Sequence, residues 1–403
     1  MIGPIRQALR AEPTAVCLVV FLCDAANGFV FPTFSLFAQQ LGISLALLGF
    51  INMLGGLTQL GGAIPLGSLS DRASRPRMIR IGAVAFGLAL LLLSLASGVV
   101  LLIAARVLLA LGMVLVFRIG AAHLGDVTPV ERRSLAFGAY ATALGLGFTT
   151  GSLLGGWLND QLGARGAYLA ATAFTLAALL LAWRRLHAPV RAQTTAAPGA
   201  FLDGLRIVVR HRGLLLINLG GLLMSVTFGG AIATFFPLYA TELLISQATI
   251  STMFAVRGLV STAGRIPNSI VARVLGNQAV MLGAVLVELL VMFAMWSTRD
   301  VGLLTVILAV EGLAFGAYMV ASQTYLVEQT TPDVRGAAIG VNTTASGLGS
   351  TLAPLALGLV AAQWSVALVF PVTGAFLAVG FVTLAVGMLA LRRASRLRIE
   401  LVR

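Results

Sequence analysis

Charge is the first thing this chain lacks. Only 10% of its 403 residues are Asp, Glu, Lys or Arg, against 59% hydrophobic residues, and the mean hydropathy is +0.98. Apolar runs so long and so many cannot be hidden in one core, which excludes a water-soluble protein. Lysine is absent, so the net charge of +13 comes wholly from arginine. Cys17 and Cys23 stand six apart on one predicted helix, which leaves no disulfide or metal framework. His123, His187 and His211 fall at span ends without metal-ligand spacing. The glycine-rich stretch 145–151 lies inside an apolar run and not after a strand, so it is no dinucleotide loop. Neither a cofactor nor an enzymatic activity is expected.

What is present is a series of apolar stretches, each roughly as long as a helix that crosses a ~30 Å hydrocarbon layer. Spans one to six cover 14–38, 45–68, 77–97, 99–121, 135–158 and 166–184. Spans seven to twelve cover 214–240, 248–271, 278–297, 302–325, 337–361 and 366–390. They are continuously apolar and do not alternate, which favours helices over a barrel. The expected fold is an all-α membrane protein of twelve transmembrane helices, with both termini on one side. That side collects Arg6, Arg10, Arg72, Arg75, Arg132, Arg133, Arg191, Arg206, Arg210, Arg212, Arg273, Arg335 and the tail arginines from Arg392 to Arg403. The opposite loops carry Arg165 and Arg299. This asymmetry predicts a multi-pass protein of the cell (inner) membrane with cytoplasmic termini. It also means that the basic pI of 11.4 reflects a lipid leaflet and no nucleic acid. The short start, with two arginines and no small-residue cleavage site, reads as no signal peptide.

The chain repeats itself at an offset of about 202 residues. Phe34, Leu36 and Ala38 correspond to Phe236, Leu238 and Ala240, and Ile43-Ser44 to Ile245-Ser246. Gly62 and Pro65 fall on Gly264 and Pro267, and Arg133, Gly138, Gly147 and Gly156 on Arg335, Gly340, Gly349 and Gly358. Two six-helix bundles are expected, 1–184 and 214–403, the second ending in a basic cytoplasmic tail. A cytoplasmic linker, 185–213, contains a short amphipathic helix around 201–210. Parallel repeats about an axis along the membrane normal imply alternating access to a site between halves.

Between spans two and three, Gly67-Ser68-Leu69-Ser70-Asp71-Arg72-Ala73-Ser74-Arg75-Pro76-Arg77 resembles the signature loop of the major facilitator superfamily, departing from it at Ser74 and Pro76. In the second half Asp71 corresponds to Arg273, so that copy has decayed. Span five, with Gly138, Gly147, Gly151, Ser152, Gly155 and Gly156, resembles the antiporter motif of exporters in the superfamily, Ser152 replacing its usual proline. Gly147, Gly151 and Gly155 recur every four residues, a small-residue stripe for close helix packing. Asp24-Ala25-Ala26-Asn27-Gly28 with Pro32 resembles the first helix of twelve-span drug:proton antiporters. The resemblance implies a gating role for Gly67, Asp71, Arg72 and Arg75 of the first loop. Asp126 and Glu328, with Glu131, Arg132, Arg133, Asp333 and Arg335 nearby, read as inner-gate salt bridges.

An ionised side chain inside a span costs between about 3 and more than 10 kcal/mol unless paired or wetted. Asp24, Arg106, Arg257, Glu288 and Glu311 are such groups. Asp24 shares a helical stripe with Asn27, Gly28, Phe31 and Ser35; Glu311 heads another through Phe315, Tyr318, Ser322 and Tyr325. Asn52, Gly56 and Gln59 form a polar line on span two, and Arg257 aligns with Met253 on span eight. Purely structural roles would pair Asp24 with Arg106 and Arg257 with Glu311. The functional reading makes Asp24 and Glu311 proton carriers, with Arg106 tuning its acid partner. Asn27, Phe31, Asn52, Gln59, Phe236, Met253, Arg257, Phe315 and Tyr318 then line the substrate path. The expected function is proton-coupled efflux of small apolar or amphipathic compounds by a monomer in the lipid bilayer. The alternative is a dedicated exporter or importer of a sugar, amino acid or organic anion. Glu288, on a peripheral span, is expected to make a local contact.

Overall fold

The computed structural model describes residues 12–187, 205–206 and 209–400, without the side chains of 64, 68, 71, 72, 332, 333 and 392–400. The described residues are almost wholly helical, and ten of their helices are long and apolar enough to cross a membrane. The difference from twelve has two local causes. Spans five and six run together as Arg133–Arg185, interrupted by Gly163 at φ 71° and ψ 171°, a conformation that favours glycine. Span eight is divided at Gly264 into Gln247–Ala263 and the shorter Arg265–Leu275, neither long enough alone. Most of the linker lies outside the described residues; of the expected helix around 201–210, residues 205–206 and 209–210 are described and are helical.

Other interruptions carry chemistry. Span one stops at Val30, turns at 31–33 and resumes as Phe34–Gln40, since Pro32 has no N–H to continue the ladder. Spans four and seven each contain a π-turn, Val114–Arg118 and Val226–Ile232. Such bulges leave backbone groups that a simple α-helix would satisfy, and they often mark functional helices.

The chain divides into two compact units: Met1–Ala196 with Pro237–Leu259, and Ala197–Phe236 with Val260–Arg403. In the first, span one lies along spans five and six, and span three packs on span four and on the merged helix Arg133–Arg185, meeting its span-six part at Thr175. In the second, span nine packs on ten and twelve, and span seven on eleven and twelve. Hydrophobicity gives little attraction between helices in lipid, so close backbone approach must supply it. Glycines provide that approach at the span one–span five seam. A Cβ on Gly147 would sit 2.6 Å from the Phe21 carbonyl oxygen, and one on Gly155 2.7 Å from Phe29 Cα. One on Gly151 would collide with the carbonyl of Ala25. Gly28 of span one reciprocates against Phe148 and Ser152. Gly138, grouped with these glycines by the motif, does not share the seam: nothing lies within 4 Å of its absent Cβ.

The two repeats reproduce each other in detail. Ser44 Oγ accepts the Leu47 N–H and Ser246 Oγ accepts that of Thr249, each at 3.3 Å. Gly42 and Leu244 both take positive φ, 76° and 62°. The N–H groups that close those helix ends pair at matching positions, Ile43 to Ala38 and Ile245 to Ala240.

Candidate functional site

In the first unit Asp24 is buried, and its Oδ1 accepts a 3.1 Å hydrogen bond from Asn27 Nδ2, one turn on. Gly147 stands against its Cβ. The guanidinium of Arg106 does not meet Asp24. It stands over the ring of Phe34, 4.8 Å from the centroid, with its stem along Gly55 and its Nε buried without a hydrogen-bond partner. The expected Asp24–Arg106 pair is therefore absent. Arg106 faces the resumed part of span one, beyond Pro32, whereas Asp24 lies before it. Phe31 meets Phe148 edge to face at 5.3 Å. Asn52 is buried with its Oδ1 unpartnered. Gln59 turns to span four, donating to Met113 Sδ at 3.1 Å. Met253 and Arg257, on the part of span eight that belongs to this unit, are both buried.

In the second unit Glu311 and Phe236 have no exposed surface. Phe315 lies 5.5 Å from Phe228 on the π-turn of span seven. Tyr318 follows Glu311 on its stripe, but its hydroxyl is spent on packing: it donates to the Ile217 carbonyl at 2.7 Å, against Gly220. Glu288 is fully buried, so span nine does not turn it to lipid.

The loops at the arginine-rich ends differ from the expected gate. Arg75 forms a 2.7 Å ion pair with Asp126 and donates to the Ala122 carbonyl. At the equivalent place in the second repeat, Asn277 donates to Glu328 at 3.1 Å, a neutral counterpart. Among the described side chains no acid pairs with Arg133 or Arg335. Each donates to the carbonyl five residues back, Thr128 at 3.3 Å and Thr330 at 3.2 Å, and so closes the end of the preceding span. Asp71 and Arg72 end the helix Leu45–Arg72, and their side chains lie outside those described. Gly67 and Arg75 line a cavity of about 170 Å³ with Ser70 and Arg118. Its equivalent in the second repeat, about 450 Å³, is lined by Ser269, Arg273, Asn277 and Glu328.

Sequence reasoning passed over Glu12 and considered His123 only as a metal ligand. The buried His123 Nε2 lies 3.0 Å from Glu12 Oε1, which also accepts the His187 N–H at 2.7 Å. It also passed over Gln247 and Asp160, which hold span eight to spans one and five. The one available signal was Pro32, which frees backbone groups that some side chain must serve. Among the described residues no group of His, Cys, Asp and Glu could hold a metal ion.

Buried carboxylates, a buried arginine and paired glycine seams, set in two repeats of apolar helices, define a multi-pass helical membrane protein. The chain belongs to the Major Facilitator Superfamily, whose sequence profile matches residues 16–244 and 219–400. It is 27% identical over 377 residues to the multidrug resistance protein MdtG of Yersinia enterocolitica, covering 88% of this chain and 87% of that one. It is 26% identical over 375 residues to the MdtG of Citrobacter koseri, covering 89% and 90%. Among solved structures it resembles the nucleoside transporter NupG, with a TM-score of 0.78 at 15% identity over 94% of this chain and 99% of that one. A bacterial homolog of the human lysosomal transporter Spinster gives 0.77 at 15% identity, over 98% and 97%. These two likenesses concern the fold.

Proposed function

We propose that the chain is a secondary active transporter of the cell (inner) membrane, with cytoplasmic termini. It exports small apolar or amphipathic compounds from the cytoplasm by alternating access, in exchange for protons, as a monomer. Kinship along most of its length with proteins named for multidrug resistance supports the efflux reading. The arginine asymmetry supports the orientation.

The observation that carries the proton coupling is Asp24, buried inside a span with Asn27 as its hydrogen-bond partner and no arginine on it. Keeping a carboxylate charged there costs several kcal/mol, so any change in its wetting changes its protonation. Glu311, buried in the second unit, is the second carrier. Asn27, Phe31, Asn52 and Met253 in the first unit, and Phe236 and Phe315 in the second, each supply an adaptable lining with few polar groups, suited to substrates of varied shape. Arg75 with Asp126 is the gating pair at the loop end.

The test is Asp24→Asn in proteoliposomes with an imposed pH gradient and a panel of amphipathic fluorescent dyes. Asparagine keeps the size but cannot release a proton. Gradient-driven dye accumulation should be abolished while protein level and melting temperature stay near the parent's. Retained accumulation with an unchanged pH profile removes Asp24 from the mechanism.

One observation favours a second reading. Arg106 is half-buried, its guanidinium over an aromatic ring with its Nε unpartnered and no described carboxylate on it, and suits a substrate bearing an anionic group. Arg106→Gln would then lose anionic substrates selectively and spare neutral ones.

A further inference from the structure

The break in span one exposes a backbone carbonyl that a distant side chain takes up. Around the turn at 31–33, several contacts come from the first repeat itself. Thr33 Oγ1 donates to the Phe29 carbonyl at 2.6 Å, it lies 2.9 Å from the Tyr168 hydroxyl, Phe31 meets Phe148, and Arg106 covers Phe34. Another comes from the second repeat: Gln247 Nε2 donates to the Pro32 carbonyl at 3.1 Å. One residue further, the Ala248 N–H donates to Asp160 Oδ2 at 3.3 Å. A carboxylate from the end of span five thus caps the helix Gln247–Ala263, where the helix dipole favours negative charge. Along the same helix, a Cβ on Gly156 would strike Ser251, and one on Gly258 would lie 2.8 Å from Thr149 Oγ1. All these residues belong to the first compact unit.

We propose that Gln247 and Asp160 form a releasable latch, which seats the first turn of span eight on the broken turn of span one and the end of span five, and whose release is a step of the transport cycle. The contacts made by Thr33, Tyr168 and Arg106 join helices contiguous within one repeat and persist. Those of Gln247 and Asp160 are the hydrogen bonds that bring in a segment from the other repeat. Both are single hydrogen bonds, each weak enough to break and re-form. The latch is also one-sided. At the 202-residue offset, Gln247, Asp160 and Pro32 correspond to Leu45, Ala362 and Thr234, which supply no side-chain amide, no carboxylate and no proline break. The asymmetry marks these groups as an addition to the repeated architecture, not a requirement of it. The inference rests on a transporter cycle but on neither the substrate nor the coupling ion.

Spin labels at Gln40→Cys and Leu244→Cys, both exposed positions of the same unit, report the separation of span one's end from the turn before span eight. They are placed in the full chain, with Cys17 and Cys23 replaced by alanine, in lipid nanodiscs. Distances from pulsed electron resonance should show one dominant short population in the parent. Gln247→Leu and Asp160→Ala should each shift the short-to-long ratio about fivefold, the worth of one net hydrogen bond. Gln247→Glu is the decisive variant. Its carboxylate cannot donate to the Pro32 carbonyl, but its neutral acid can. Relative to the parent in the same buffers, which accounts for Asp160, it should open in alkaline and re-close in acidic buffer. Distances equal to the parent's in the leucine and alanine variants would overturn the latch. So would a glutamate variant that behaves alike in both buffers. Neither readout needs substrate or a proton gradient, so failure here is distinct from failure of the efflux reading.

Discussion

At the scale of single residues, glycine and its absence make opposite predictions. Gly151 lies so close to Ala25 that even a methyl group must displace backbone. Gly151→Ala should therefore already lower the detergent melting temperature, in the range of the about 1–3 kcal/mol that overpacking costs, and Gly151→Leu should do worse. Gly138→Ala, with open space around it, should melt like the parent. Equal melting of the two alanine variants would contradict the seam. Leu244 is the converse, a bulky residue held at φ 62° where its repeat partner is a glycine, and 94% exposed. Relief of a left-handed L-residue is worth about 1–2 kcal/mol, against roughly 0.5–1 kcal/mol for the added freedom of glycine. Leu244→Gly should accordingly raise the melting temperature by a small, measurable amount, and a decrease would show that the leucine side chain is anchored.

At the scale of helices, the repeat is written in end-caps as much as in spans. Ser44→Ala and Ser246→Ala should each cost about 1 kcal/mol, with similar falls in thermal stability, because each removes one cap of the same geometry. A large effect at one and none at the other would mean the repeats no longer share this corner. The spans themselves were legible because apolar length reports membrane thickness directly. Their interruptions were legible only at Pro32, where the chemistry forbids a hydrogen bond. Gly163 and Gly264 look like the other glycines of the chain, and which one becomes a break depends on what packs beside it. The same limit governed the site. Asp24, Arg106 and Glu311 stood out as costly charges, but Arg106 over Phe34 depends on how spans one and four are rotated, which residue type does not encode. Tyr318 was expected on the substrate path, and its hydroxyl is taken up by the Ile217 carbonyl of span seven, a partner about a hundred residues away.

At the scale of the whole molecule, the boundary between compact units does not coincide with the boundary between repeats. The first six spans are complete in sequence at Arg185, yet the unit they form also takes in Pro237–Leu259, with Gln247 on the Pro32 carbonyl and Ser251 against Gly156. Proteins are made from one end. At about 5–20 residues per second, the roughly 70 residues from span six to Leu259 take on the order of 4–14 s to appear. Throughout that interval the nascent first half sits in the bilayer with a backbone carbonyl and a glycine groove uncovered. The first half therefore completes its packing only after synthesis of the second half has begun.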